Sequence, residues 1–127
     1  MRQIIQTDSA PAAIGPYSQA VRAGDLIFVS GQIPLDPGGD QLVGDTPAEQ
    51  AAQCMRNVAA VAEAAGTSLD AAVRLTIFTT DLGAFAEINE VYGGFFGDEP
   101  PARAAVGVAA LPKGALVEID AVLLAAT

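Results

Sequence analysis

Hydrophobic and polar residues alternate in several short runs of this chain, and a period of two is typical of half-buried β-strands. The alternation predicts strands at residues 2–6, 17–23 and 26–30. The Ala-Gly-Asp sequence between the second and third runs fits a tight hairpin turn. Residues 33–45 contain two prolines and three glycines and are predicted to be a surface loop. The chain is therefore expected to open with a short strand, a hairpin and a loop.

A first helix is predicted from Thr46 to Gly66. Thr46 is a suitable N-cap, Pro47 suits the first helical position, and Glu49 completes a Thr-x-x-Glu capping box. The apolar positions of this segment recur at helical spacing and predict one face that packs on a sheet. They are Ala51, Ala52, Met55, Val58, Ala59 and Ala62.

A further strand at residues 69–80 is followed by a second predicted helix, which Asp81 can cap. The apolar face of this helix spans about four turns. Its members are Phe85, Ile88, Tyr92 and Phe95. Asn89 falls on or beside this face, where its amide would need hydrogen-bond partners if it were buried. The alternative is a partly exposed amide that bonds to backbone or water.

The last two predicted strands, residues 102–110 and 115–126, are joined by Leu-Pro-Lys-Gly and are expected to pair as a hairpin. The final strand is apolar on both alternating faces apart from Glu118 and Asp120, which is typical of a strand covered on both sides. Two helices can cover only one face of such a sheet. The fold class is therefore α+β, a mixed sheet of about six strands with two helices on one face, and another subunit is expected on the other face.

Length and composition limit the classes of protein that fit. The 127 residues make a single domain of ordinary size, 1–127. No apolar run approaches the roughly 18 positions that span a bilayer, and the start lacks the basic region and long apolar core of a signal peptide. We therefore expect a cytoplasmic protein.

Charge and missing residue types limit the chemistry. The net charge is −9, and the six Lys and Arg residues form no basic cluster, so nucleic acid and anionic membranes are not expected partners. With one cysteine and no histidine, the chain can form no internal disulfide, no Cys/His zinc site and no Ser-His or Cys-His dyad. Carboxylates, tyrosine, lysine and bound water remain for acid–base work. Cys54 has no partner in sequence that would activate it and is interpreted as an ordinary helix residue.

Two positions suggest a ligand site from the residues alone. In an extended strand Arg103 shares its face with Ala105, Gly107 and Ala109, and a guanidinium among small residues suits a pocket for a small carboxylate. The alternative is an edge-strand arginine that reaches solvent. Gly31 follows a hydroxyl residue and would let a backbone amide approach a ligand closely, or it marks a bulge or strand end.

Four segments of the sequence resemble the RidA (YjgF-type) reactive-intermediate deaminases, in the same order and over nearly the whole length. They are Ile14-Gly-Pro-Tyr-Ser-Gln-Ala, Phe28-Val-Ser-Gly-Gln-Ile-Pro-Leu-Asp-Pro, the helix residues Phe85, Asn89, Tyr92 and Phe95-Phe96, and Pro101-Ala-Arg-Ala-Ala-Val with Leu111-Pro-Lys and Val117-Glu-Ile-Asp. The resemblance implies a chorismate-mutase-like fold, a barrel-like homotrimer and ligand clefts at the subunit interfaces.

The resemblance also implies an activity, the hydrolysis of 2-imino acids to 2-oxo acids and ammonia without metal or cofactor. Arg103 then binds the substrate carboxylate, Glu118 holds the attacking water, and Tyr17 assists proton transfer. Further residues are implied to line the same cleft: Ser30, Gly31, Asn89 and Ala105. Many members carry a cysteine where Ala105 stands, so no thiol is expected beside the cleft. The alternative function is a non-catalytic binder or sensor of 2-oxo acids.

Overall fold

Six strands form one mixed sheet in this computed structural model, which describes residues 2–126. The strands are β1 (Arg2–Ile5), β2 (Ala20–Ala23), β3 (Leu26–Gln32), β4 (Ala72–Thr79), β5 (Ala102–Gly107) and β6 (Val117–Leu124). Two helices accompany them, α1 (Pro47–Ala64) and α2 (Phe85–Gly93). The strand order across the sheet is β1-β2-β3-β6-β4-β5, with only β4 and β5 parallel. The predicted α+β class is confirmed.

The core lies between the helices and one face of the sheet. The central strand β6 alternates buried and half-buried residues along its length, because side chains of a strand point to opposite faces. Its buried residues pack in one cluster with Ile27 of β3, Ile77 of β4 and Met55 of α1. Burial of apolar area in this cluster is the main force that holds the helices on the sheet.

Local signals at the first helix are confirmed. The Thr46 hydroxyl accepts a hydrogen bond from the Glu49 amide at 3.2 Å, and the Glu49 carboxylate accepts one from the Thr46 amide, also at 3.2 Å. The Glu49 carboxylate also accepts bonds from the Asp45 amide and the Thr46 hydroxyl. The bond from the Asp45 amide is the strongest of the contributors that lower the pKa of Glu49, followed by those from the Thr46 amide and hydroxyl. Gly66 adopts a φ of +83° just after the helix, as glycine readily does.

The predicted hairpin of the last two strands is wrong. Strand β5 pairs in parallel with β4, and β6 lies between β3 and β4. The physical reason is that α2 connects β4 to β5 as a crossover, which brings β5 to the sheet edge beside β4. Strand β6, which is apolar apart from Glu118 and Asp120, takes a central position where it has ladder partners on both sides. The prediction was wrong because a short connection between two strands usually indicates a hairpin.

The predicted boundaries also need correction. Helix α2 has nine residues rather than about four turns, a short 3₁₀ turn (Leu82–Ala84) precedes it, and the Asp81 side chain makes no capping bond. Strand β2 begins at Ala20 instead of residue 17. The loop before it is held by Gln19, whose buried amide donates to the carbonyls of Thr7 and Pro11. Tertiary contacts of this kind are not visible in a local pattern.

The sheet face opposite the helices carries large apolar side chains. Strand pairing places Ile4, Phe28 and Val106 on this face together with Glu118, and the three apolar side chains are between 39% and 52% exposed. The open face is the surface for which a covering subunit was expected.

No helix within residues 2–126 is long and apolar enough to cross a membrane.

Candidate functional site

A cavity of about 460 Å³ lies where the loop before β2, the end of β3 and the start of β6 meet. Four sequence-predicted site residues line it: Tyr17, Ser30, Gly31 and Glu118. Much of the remaining wall is apolar and includes Ile14, Ile33 and Leu35. The cavity therefore combines a few polar groups with a hydrophobic lining, which is the usual composition of a small-molecule site.

Glu118 is half-buried in this cavity. Burial raises the pKa of its carboxyl above the ordinary value, and the nearby Asp120 charge raises it further. A carboxylate whose pKa is raised in this way is better suited to accept and return a proton near neutral pH than a fully solvated one.

The two hydroxyl groups of the cavity differ in their free hydrogen-bonding capacity. The Tyr17 hydroxyl oxygen accepts a bond from the Ile14 amide at 3.2 Å, so its own proton remains available to a ligand. The Ser30 hydroxyl already donates to the Ser18 carbonyl at 2.6 Å and can offer a ligand only acceptor lone pairs. Tyr17 is the donor of the pair.

Gly31 provides room for the Glu118 carboxyl group. The pairing of β3 with β6 shifts register between Val29 and Gln32, which agrees with the interpretation of Gly31 as a bulge position. A β-carbon built on Gly31 would overlap one Glu118 carboxylate oxygen and lie 3.0 Å from the carboxyl carbon. The space that the missing side chain leaves is thus occupied by Glu118.

The Gly31→Ala variant is expected to move the Glu118 carboxylate out of its position. The carboxylate is the flexible end of a side chain and can shift, so we expect a stability loss of less than about 1 kcal/mol, below the usual range for overpacking. The displaced carboxyl becomes more solvated, and its pKa should fall toward the ordinary value. NMR titration of Glu118 and thermal unfolding measure both effects. Gly38→Ala is the control, because no atom lies within 4 Å of its added β-carbon; an unchanged Glu118 pKa in Gly31→Ala would contradict this account.

Arg103 lies at a second place, beside helix α2. Its Nη1 donates to the Asn89 side-chain oxygen at 2.6 Å. Asn89 is exposed, so its amide is not a buried group that requires partners. The guanidinium carbon lies 5.1 Å from the ring centre of Phe85 and 5.0 Å from that of Tyr92. Both distances suit cation–π contacts. Arg103 is still exposed, so its other N–H groups remain accessible to an anion.

The surroundings of Arg103 differ from the prediction. Ala105 and Gly107 do share its strand face, but aromatic rings from α2 flank the guanidinium, so its pocket is not made of small residues alone. The sequence pattern contained a signal for this arrangement. Phe85, Asn89 and Tyr92 are spaced four and three residues apart, which places them on one side of a helix.

Arg103 and Glu118 do not meet within one chain. Arg103 pairs with Leu75 and shares the face of the sheet that the helices cover, whereas Glu118 pairs with Phe78 on the opposite face. Strand β4 also separates β5 from β6. Tyr17, Ser30, Gly31 and Glu118 thus form one group, while Arg103, Asn89 and Ala105 form another.

The described residues were also expected to hold neither a metal site nor a reactive thiol. Within residues 2–126, no group of three or more His, Cys, Asp or Glu side chains could hold a metal ion. Cys54 is fully buried and its thiol donates to the Val117 carbonyl at 3.4 Å. Burial raises the pKa of this thiol, and Glu118 adds to the effect. Both observations agree with an inert core cysteine.

The sequence and the fold of this chain are similar to those of known proteins. A family model described as Endoribonuclease L-PSP matches residues 7–125. The chain is 54% identical to the RutC family protein y4sK of Sinorhizobium fredii, over 97% of this chain and 98% of that protein. It is 45% identical to the human 2-iminobutanoate/2-iminopropanoate deaminase, over 98% of this chain and 90% of that protein. The crystal structure of RidA from an Antarctic Psychrobacter superposes with a TM-score of 0.92 at 48% identity, over 96% of this chain and 98% of that one.

Proposed function

The chain belongs to the endoribonuclease L-PSP family, which includes RidA, and from this membership we propose that it hydrolyses reactive 2-imino acids to 2-oxo acids and ammonia. The observation that carries the proposal is the half-buried Glu118 carboxylate, with raised pKa, in a cavity that also holds the Tyr17 hydroxyl, whose proton is available to a ligand. The human relative named as a 2-iminobutanoate/2-iminopropanoate deaminase supports it.

The proposed reaction needs little from the protein. Arg103 binds the substrate carboxylate with its free N–H groups, which orients the iminium carbon toward Glu118. Glu118 accepts a proton as its water attacks that carbon, and a tetrahedral amino alcohol forms. The nitrogen then takes up a proton from Glu118, with Tyr17 assisting. As ammonia leaves and the carbonyl forms, the hydroxyl proton passes to Glu118 and from there to ammonia, which departs as ammonium. An iminium ion is already electrophilic, so the protein's own groups suffice.

We also propose that the site is completed by a second copy of the chain, in a homotrimer with clefts at its interfaces. Arg103 and Glu118 lie on opposite faces of the sheet, so one cleft can contain both only if two copies supply them. The open sheet face, with Ile4 and Phe28 exposed, offers the apolar surface for such a contact. A closed ring of three copies would bury this surface in every subunit.

The experiment is to generate 2-iminobutanoate in the presence of the purified protein and to follow its loss by trapping the remaining imine. We expect the wild-type protein to accelerate hydrolysis well beyond spontaneous decay. Decay at the spontaneous rate, together with binding of 2-oxobutanoate, would favour the non-catalytic binder instead. The two outcomes separate an enzyme from a sensor that uses the same clefts.

The word endoribonuclease in the family's description does not lead us to propose an RNA substrate. The net charge of −9 opposes association with a polyanion, because nucleic-acid binding depends on neutralising phosphates with Lys and Arg. A filter-binding assay with single-stranded RNA at low salt tests this exclusion. Retention of RNA by the protein would contradict it.

A further inference from the structure

Lys113 has an unusual backbone conformation. Among residues 2–126 it is the only non-glycine residue with a positive φ, at 59° with a ψ of 18°. A side chain is disfavoured in this left-handed region, and glycine would occupy it without strain. Backbone strain of this kind is concentrated at functional sites. A lysine therefore stands at a turn where the backbone conformation favours glycine.

The position of Lys113 gives that side chain a use. Lys113 is the only lysine of the chain, and it is the only Lys or Arg that lines the cavity of Tyr17 and Glu118. The chain as a whole carries a charge of −9, which repels small anions, so a cation at the cavity has a strong local effect. An ammonium on a flexible stem can bind a carboxylate that arrives at different distances.

The cavity has room for a substrate that extends beyond a short side chain. A volume of about 460 Å³ lies within the range of pockets that enclose ligands much larger than the smallest 2-imino acids. Ile14, Ile33 and Leu35 offer apolar wall to the methylene groups of a longer chain. A cavity lined by both apolar side chains and one cation matches a ligand with a hydrocarbon segment and a distal anion.

We propose that Lys113 forms a second anion subsite, so that the protein selects dicarboxylic 2-imino acids. This inference rests on the proposed function and specifies its substrate class. The α-carboxylate binds Arg103 of a neighbouring copy, the imine carbon faces the water on Glu118, and the distal carboxylate binds Lys113. The distal anion is attracted by the ammonium and repelled by Glu118, which fixes the direction in which the substrate lies.

The test compares two ligands of equal chain length, 2-oxoglutarate and 2-oxopentanoate, which differ in the distal carboxylate. Calorimetry gives their dissociation constants for the wild type, Lys113→Arg, Lys113→Gln and Lys113→Gly. We expect the wild type and Lys113→Arg to prefer 2-oxoglutarate, and the preference to fall about tenfold in Lys113→Gln and Lys113→Gly, as for the loss of one hydrogen bond to a charged group. Lys113→Gly also relieves the strained backbone, so a thermal midpoint equal to or above wild type shows that the loss is not misfolding.

The same preference should be found in turnover, with imines generated in place from glutamate and from norvaline. An equal 2-oxoglutarate preference in the wild type and Lys113→Gln would overturn the inference, even if both proteins hydrolyse imines. A different result would overturn the proposed function and leave the anion subsite in place. In that case the wild type hydrolyses no imine, but it prefers 2-oxoglutarate and Lys113→Gln does not. The Arg103→Ala variant should lower the affinity for both ligands by a similar factor, because both carry the α-carboxylate. This result distinguishes the Arg103 position from the Lys113 position, which affects 2-oxoglutarate alone.

Discussion

Replacing Arg103 by alanine is expected to lower kcat/KM for 2-imino acids by at least about a hundredfold, as expected for the loss of two charge-assisted hydrogen bonds of about 1.5 kcal/mol each. The effect should appear mainly as a higher KM and a lower affinity for 2-oxo acids, because Arg103 binds the carboxylate that substrate and product share. Steady-state kinetics and calorimetry with 2-oxobutanoate measure both.

Two further variants make the Arg103 result specific. Arg103→Lys keeps the charge but loses the planar fork that Asn89, Phe85 and Tyr92 hold, so we expect it to recover only a minor part of the activity. Arg56→Ala removes an exposed arginine of α1 whose side chain bonds to Gln53, and activity should remain close to wild type. Full activity in Arg103→Ala would show that the substrate carboxylate binds elsewhere.

The Glu118→Gln variant is expected to lower kcat by about 10²- to 10⁴-fold, the usual contribution of a positioned general base. Glutamine keeps the shape of the side chain but cannot accept the proton of the attacking water. The substitution should not lower the stability of the folded protein. Because burial raises the pKa of Glu118, the ionised form is disfavoured in the folded state, and the stability associated with this group falls as pH rises through the raised pKa. Glu118→Gln should therefore unfold at an equal or higher temperature than wild type at neutral pH.

The pH dependence of the wild type provides an independent check on Glu118. The ionised carboxylate is the active form, so kcat/KM should level off above its raised pKa and fall as pH drops through it. Asp120 contributes to that raised pKa by its charge. The Asp120→Asn variant should therefore shift the acid limb to lower pH. An acid limb that is the same in wild type and Glu118→Gln would mean that another group titrates.

Mixing the two inactive variants tests whether two copies share a cleft. In randomly mixed trimers a cleft is intact when its Arg103 comes from the Glu118→Gln chain and its Glu118 from the Arg103→Ala chain. With equal amounts and random assembly, about a quarter of the clefts satisfy this condition, and a similar fraction of wild-type activity should return. No recovery after unfolding and refolding the mixture would place both residues in one subunit.

The parts of the fold that local chemistry specifies were predictable. The capping box of Thr46 and Glu49 and the glycine after the helix set both ends of α1. The turn between β2 and β3 also depends on adjacent residues, and the hairpin is confirmed. The length of α2 was not predictable in this way, since Phe95 has helical spacing but lies beyond the last helical turn.

The role of Gly31 shows where the sequence was insufficient. A glycine after a hydroxyl residue was interpreted as room for a ligand or as a bulge, and both interpretations depend on what approaches it. The residue that approaches is Glu118, far away in sequence, and a shift in strand register brings it there. Phe85 and Tyr92 at the Arg103 guanidinium, and Lys113 at the cavity, likewise depend on contacts between distant segments.

The sequence by itself determined the element types, the bounds of α1, the acidic net charge and the family resemblance, since these depend on residue types and short spacings. Only the tertiary structure decided which strands pair and which face each side chain occupies. Strand order follows from the burial of the whole sheet, and side-chain direction reverses with each step of register. These two facts place Arg103 and Glu118 on opposite faces, and from them comes the proposal that two copies of the chain complete each site.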